Sequence, residues 1–532
     1  MSLFLLPSLR GTISPSLLLL ISSEAFMAEP AVGPVEHTTS LALVERKKLF
    51  KSLRRFDMLL FLVCAIVGLD TLGQVSSYGA QTFTWVLVLA VFFLFPYALV
   101  MAELGTAFTQ EGGPYEWMKL AWGRFTAGIG AVLYWVTNPL WVGGSLCFIA
   151  TEAWSTNYFK IGSGSFGDYL FKTLFIWVSI GVAIIALRYG KWIPNFGAIV
   201  RFAVLGFFSL TILIYAIKNG VHGYAAGDFS PSTAVFIGLV PLLIFNYVGF
   251  ELQNGAAEEM QNPQRDVPKS VAGSGILGVL LYAIPIFGIL AVLPVKKITG
   301  IGGFIDAVNA TFSVYGGAQT ALVKIMTAGF IIALLTSGAV WMIGSDRVQA
   351  VAGYDGAFAG WFGIFNKRLG TPVRVNVMSG IAATIFMIAA VNLNKGSTAS
   401  TFVVVLYMAI STTLISYIAI FPTVIKLRYS QPDVPRPYRL PGGKPGVWIA
   451  GGLCTGFILL ASFVAVFPDV IEKAVGAGYN FQDTWGISQL RFEVFTLGTL
   501  AVIIAFAVVG YWLGRPVREQ EVDVALVAPA PA

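Results

Sequence analysis

Twelve apolar stretches, each long enough to cross a bilayer as a helix of ~20 residues, run along the 532-residue chain. They lie near 56–80, 83–108, 126–152, 169–187, 193–217, 233–258, 270–294, 318–344, 373–391, 399–425, 447–467 and 494–513. Lipid offers backbone groups no hydrogen-bond partner, so spans of this length must fold as helices. The expected fold class is therefore an all-α integral membrane bundle of twelve helices. Only 11% of residues are charged, where soluble domains carry about 25%, and mean hydropathy is +0.77.

Charge sets the expected orientation. With both termini in the cytoplasm, Lys and Arg on the inner side outnumber those on the outer side roughly three to one, as the positive-inside rule requires. A multi-pass protein of the cell membrane follows, with lipid as its surroundings. The net charge of +7 is then a topological bias and implies no nucleic-acid partner. Cys64, Cys147 and Cys454 fall inside spans, so no disulfide framework is expected. His37 and His222 lie outside the spans, so neither a metal site nor a cofactor is expected. An enzyme would want clustered His, Asp or Ser in the spans, and no nucleotide-binding loop is present to suggest ATP drive. Residues 1–52 read as a largely disordered cytoplasmic extension, whose apolar run LLPSLRGTISPSLLLLIS is too short to span; Met27 is an alternative start. Residues 515–532 read as a disordered tail.

Two spans are interrupted. The first breaks at VGLDTLGQVSS (Val67–Ser77) and the sixth at FNYVGFELQNG (Phe245–Gly255). A carboxylate at that depth costs a few kcal/mol, and unwound backbone survives there only against protein or a water-filled cavity. Paired broken helices point to a transporter built on an inverted repeat: residues 53–218 (spans 1–5) and 233–428 (spans 6–10), with spans 11–12 in 446–514. The half-helix ends would cradle a small zwitterion, carboxylate at N-termini and amine at C-termini. The competing reading is that the glycines only let helices pack closely.

Four segments carry a resemblance to the amino acid–polyamine–organocation transporters. They are YALVMAELGTAFTQEGGPYEWMKLAWG (Tyr97–Gly123), GFELQNGAAEEMQNPQRDVPKS (Gly249–Ser270), SDRVQAVAGYDGAFAGWFGIFNKRLGTPV (Ser345–Val373) and LRYSQPDVPRPYRLPGG (Leu427–Gly443). The resemblance implies a five-plus-five inverted repeat, alternating access, and amino acids or amines as substrates. It also places Gly68, Leu69 and Asp70 where the family keeps Gly-Ser-Gly to hold a substrate carboxylate. Here Leu69 removes the hydroxyl, and Asp70 would repel a carboxylate and attract an amine.

Asp70 is thus a candidate amine ligand or substrate-linked proton site; the alternative is a structural partner for a basic residue. Asn246, Tyr247, Gly249 and Phe250 are candidate substrate contacts, with Phe245, Tyr247 and Phe250 as an aromatic lid. The resemblance makes Glu251 a candidate coupling or gating carboxylate; alternatively it keeps the break open by hydrogen bonding. Arg201 matches a position where sodium-independent relatives place Lys instead of a sodium ion, and is expected to pair with Asp70; snorkelling is the other reading. Glu103 is expected to be structural, Lys324 to snorkel, and Lys119, Arg124, Arg347 and Arg436 to anchor the cytoplasmic side. Tyr134, Trp135, Asn138 and Trp141 are possible pathway residues. The expected function is a sodium-independent secondary transporter of amino acids or amines, a symporter with protons or an antiporter. Alternatives are a polyamine or cationic amino acid transporter, or a transceptor or channel of the same fold. Substrate and oligomeric state stay open.

Overall fold

A computed structural model describes residues 35–189, 192–221, 224–393 and 398–525. The expectations for Met27 and for the end of the tail lie outside these residues. Among the described residues the chain divides into two units, 35–38 with 521–525, and 39–520. In the first, β1 (Val35–Thr39) pairs with β2 (Glu521–Ala525) at the unit's edge. The second is helical. It opens with α1 (Ser40–Arg46), capped by the Thr39 hydroxyl, which accepts from the Ala42 N–H. This stretch of the expected extension is therefore ordered helix, with Ala42 and Glu45 buried.

The first apolar stretch splits into α2 (Arg55–Ile66) and α3 (Leu72–Ser76). Gly68 sits in the gap, where a Cβ would lie 2.7 Å from Asp70 Oδ1. Long helices follow: α4 (Gln81–Ala107), with a π-turn at Ala90–Leu94, the short α5 (Pro114–Trp122), α6 (Arg124–Asn157), with a π-turn at Val142–Leu146, α7 (Phe166–Tyr189) and α8 (Trp192–Asn219). The sixth stretch splits into α9 (Thr233–Tyr247) and the 3-10 helix α10 (Phe250–Glu259). Gly249 between them has φ +131°, which side-chain-bearing residues rarely adopt. Then come α11 (Pro263–Val292), α12 (Gly303–Thr311), α13 (Gln319–Tyr354), α14 (Val373–Leu393), α15 (Thr398–Ile420), α16 (Thr423–Ser430), α17 (Gly443–Val466), the short α18 (Val470–Ala474) and α19 (Phe481–Trp485), and α20 (Gln489–Leu513).

The unit is an all-α membrane fold. Eleven of its helical segments, among the described residues, are long and apolar enough to cross a membrane. The sequence suggested twelve; the difference is the first stretch, whose break leaves α2 and α3 each too short. The apolar window of α6 is completely buried, whereas that of α20 is 28% buried, so α6 is central and α20 peripheral. Outward apolar side chains such as Ile276 and Val502 suit contact with lipid.

The polar motif segments meet at one end of the bundle. Glu103 at the end of α4 accepts from Arg428 in a two-pronged pair, from the Leu440 N–H at 2.8 Å, and lies 3.3 Å from Arg436. Asp355 takes Arg124 Nε at 2.8 Å and the Tyr115 hydroxyl at 2.5 Å, with Lys119 at 3.5 Å. Arg347 donates to Glu259 at 2.8 Å and lies 3.5 Å from Glu111. Glu103 thus has the structural partners expected of it.

Candidate functional site

Breaking a helix frees carbonyls at one new end and N–H groups at the other. Here side chains take many of them. The Cys64 carbonyl accepts from Ser337 (3.3 Å), that of Ala65 from Trp341 Nε1 (2.8 Å) and that of Val67 from Arg201 Nε (3.0 Å). At the other break, the Tyr97 hydroxyl accepts from both Gly249 N and Phe250 N at 2.8 Å. The ends are capped rather than bare. The cradle of free helix ends expected for a zwitterion is therefore largely occupied by the protein's own groups.

A cavity of about 20 Å³ lies between the breaks. Gly68 and Asp70 reach it from the first, and Phe245, Asn246 and Val248 from the second. Thr137, Asn138 and Trp141 on α6 close one side, with Tyr282, Trp341 and Thr413 around the rest. That volume holds about one water molecule, so the site is shut tight in this conformation. The ring of Trp141 packs edge-on against Phe245 (6.1 Å) and Trp341 (6.3 Å). Room for a solute has to come from moving these rings.

Asp70 is the charge in this cavity. It is 3% exposed, and its Oδ2 accepts from Trp141 Nε1 at 2.8 Å and from the Ser145 hydroxyl at 3.5 Å. Trp141 and Ser145 are one helical turn apart on α6, so both face the carboxylate. Both are neutral donors. A buried carboxylate with no cation beside it is costly unless something pairs with it.

Arg201 does not supply that cation, contrary to the expected pair. Its guanidinium is completely buried and binds Val67 O, Gly197 O (2.9 Å), Ala333 O (2.6 Å), the Thr336 hydroxyl (3.1 Å) and Cys64 Sγ (3.1 Å). The reason is local. Ending α2 at Ile66 leaves Val67 O without a helical donor, and five fixed N–H groups on a planar fork match a ring of carbonyls better than one carboxylate. Arg201 therefore ties the first break to α8 and α13 and does not snorkel.

Glu251, fully buried, is held by three tyrosines: Tyr134 donates at 2.7 Å, Tyr417 at 2.5 Å, and Tyr97 to the second oxygen. Tyr97 thereby links the carboxylate to the N–H groups of the break it also caps. Of the other candidates, Leu69, Tyr247, Gly249 and Phe250 do not line the cavity. The Tyr247 hydroxyl donates to Val86 O at 2.7 Å, and Phe250 stacks obliquely on Tyr97 at 4.9 Å. Of the expected lid, Phe245 alone reaches the cavity. Tyr282, Trp341, Thr413 and the tyrosines Tyr97 and Tyr417 were not singled out from sequence, because an aromatic or Thr in an apolar helix looks like packing. The Lys324 ammonium lies over the Tyr158 ring at 6.0 Å.

A family model described as amino acid permease matches residues 53–487. Similar proteins include a probable agmatine/putrescine antiporter of Lactococcus lactis, 28% identical over 424 residues, covering 79% of this chain and 89% of the relative. A glutamate/gamma-aminobutyrate antiporter of the same organism is 23% identical over 435 residues, covering 74% and 81%. A branched-chain amino acid permease of Bacillus subtilis is 24% identical over 461 residues, covering 81% and 92%. These relatives are transporters of amino acids or amines, not enzymes. With a family match across most of its length, on an all-α membrane fold, the chain belongs to the amino acid permease family.

Proposed function

We propose that this permease carries a small amine-bearing solute, with the ammonium group bound by Asp70 in the cavity between the two breaks. The observation that carries the reading is a buried carboxylate facing that cavity whose side-chain hydrogen-bond donors, among the described residues, are the neutral groups of Trp141 and Ser145. The surrounding rings of Trp141, Trp341 and Phe245 suit a cation's charge and its carbon chain, and Asn138 and Asn246 offer amide contacts. The agmatine/putrescine name of one relative agrees with a cationic solute. Twelve spans, counting α2 and α3 as one, would form a five-plus-five inverted repeat that rocks to expose the site alternately, in the cell membrane with both termini inside. Glu251 and its tyrosines act as coupling or gating groups. Transport is independent of sodium, because the Arg201 guanidinium fixes a positive charge beside the break, and is driven by protons or by exchange.

Purified protein in liposomes tests this by counterflow of labelled agmatine, putrescine and neutral amino acids, with and without sodium. Saturable flux of the amines that is lost on Asp70→Asn is expected. Amine flux unchanged in that variant, or flux that rises saturably with sodium at constant potential, contradicts the reading; non-saturating flux marks a channel instead.

A further inference from the structure

A second cavity, of about 270 Å³, shares no lining residue with the one between the breaks and lies between α9, α15, the end of α17 and the segment that follows it. Its walls are aromatic: Tyr78 after α3, Tyr407 on α15, and Tyr479 and Trp485 beyond α18. The rings are held in place. Tyr407 meets Trp485 edge-on at 4.7 Å and donates to Gly238 O at 3.1 Å, while Trp485 Nε1 donates to the Tyr479 hydroxyl at 3.0 Å. Into this box comes Glu472 of α18, only 3% exposed, whose Oε2 finds no hydrogen-bond donor among the described residues. A buried acceptor left unmatched is costly, and native proteins rarely keep one without a use.

Neighbouring charges do not serve it. Lys473 is committed to Asp469 at 2.7 Å, and Asp469 also accepts from the Tyr479 N–H at 3.2 Å. Glu472 is therefore a carboxylate inside an aromatic cage, with a void large enough for a small ligand. A cation with an aliphatic chain meets each element: its charge pairs with the carboxylate, its face contacts are cation–π, and its chain covers apolar ring surface.

We propose that this cavity is a second binding site for a small organic ammonium ion, separate from the site between the breaks. Glu472 binds the charged group, and Tyr407, Tyr479 and Trp485 pack the chain. Burial, and then the charge of Asp469, hold the Glu472 carboxyl above its ordinary value against nearby backbone N–H groups. Occupancy accordingly falls as the pH drops into that raised range and the carboxyl protonates.

Equilibrium binding of radiolabelled agmatine to purified full-length protein in nanodiscs provides the test. In an Asp70→Asn background one saturable site is expected to remain. Adding Glu472→Gln, or Ala477→Leu, which keeps the charge but fills the cavity from its loop side, should each weaken that site at least about tenfold. Ala477→Leu guards against a folding defect peculiar to the Glu472 variant. No saturable binding up to about 10 mM in the Asp70→Asn protein, or binding that neither second substitution weakens, overturns the proposal. Either outcome leaves the central site untouched, since that reading is tested separately by counterflow.

Discussion

Replacing Arg201 by Met should loosen the first break without changing the outline of the bundle. Of the groups that Arg201 contacts, Gly197 O and Ala333 O lie within helices and keep their helical donors, and the Thr336 hydroxyl also donates to Ile332 O at 2.9 Å. Val67 O follows the last residue of α2, and Arg201 Nε is its donor among the described residues. Removing the guanidinium therefore strands one buried carbonyl, at a cost of about 1–3 kcal/mol. That corresponds to a factor of about 5 to 150 in the population of a locally opened state. Cys64 reports the opening directly, because its sulfur is completely buried and 3.1 Å from Arg201. In protein whose Cys147 and Cys454 are Ser, maleimide labelling of Cys64 should speed up by that factor in Arg201→Met. Arg201→Lys should fall between the two, since one ammonium can still reach Val67 O. Labelling of Arg201→Met within about twofold of the parent would refute the role assigned to Arg201 as the clamp of the break.

Further outcomes follow from the same contacts. Glu251 lies outside the cavity but accepts three tyrosine hydroxyls. Glu251→Gln should therefore slow exchange at least about tenfold while leaving equilibrium affinity for the amine within about threefold, read by comparing binding with counterflow. Glu103→Gln leaves Arg428 buried without its carboxylate and should cost about 3–5 kcal/mol, measured as a lower unfolding temperature and faster trypsin cleavage within 431–442. At Glu111, in the loop between α4 and α5, burial first, then the charges of Glu259 and Glu258, hold the carboxyl well above its ordinary value against the pull of Arg347. A carboxyl whose pKa is raised on folding stabilises below its unfolded pKa and loses that contribution as pH rises through the raised value. The unfolding temperature of the parent should therefore fall with rising pH above the ordinary carboxylate range, and Glu111→Gln should flatten that slope; equal slopes count against it.

Much of the fold was legible because lipid imposes a one-to-one relation between long apolar runs and helices. The breaks were visible for the same reason: Asp70, Gly249 and Glu251 have no place in an apolar helix unless the helix stops. Long-range partners were not legible. Arg201 stood out as a charge within a span, but its nearest acceptor depended on where α2 ends, and a carbonyl leaves no mark in sequence. Trp341 was hidden among many aromatics whose spacing fits packing equally well, and nothing in the sequence set Trp141 apart from the other possible pathway residues of its span. Tyr97 opens a segment that carries the family resemblance, and nothing there shows that its hydroxyl joins the second break to Glu251. The family resemblance supplied a substrate class and a place for the site. The proposed assignment of Asp70 to an amine starts from its departure from that pattern.

The most direct measurement is an experimental structure of the protein with agmatine bound. The account predicts a widened cavity between Gly68 and Val248, Trp141 swung away, and a solute nitrogen within hydrogen-bonding distance of an Asp70 oxygen. No agmatine between the breaks, with Trp141 Nε1 still on Asp70 and the cavity still shut, would contradict it.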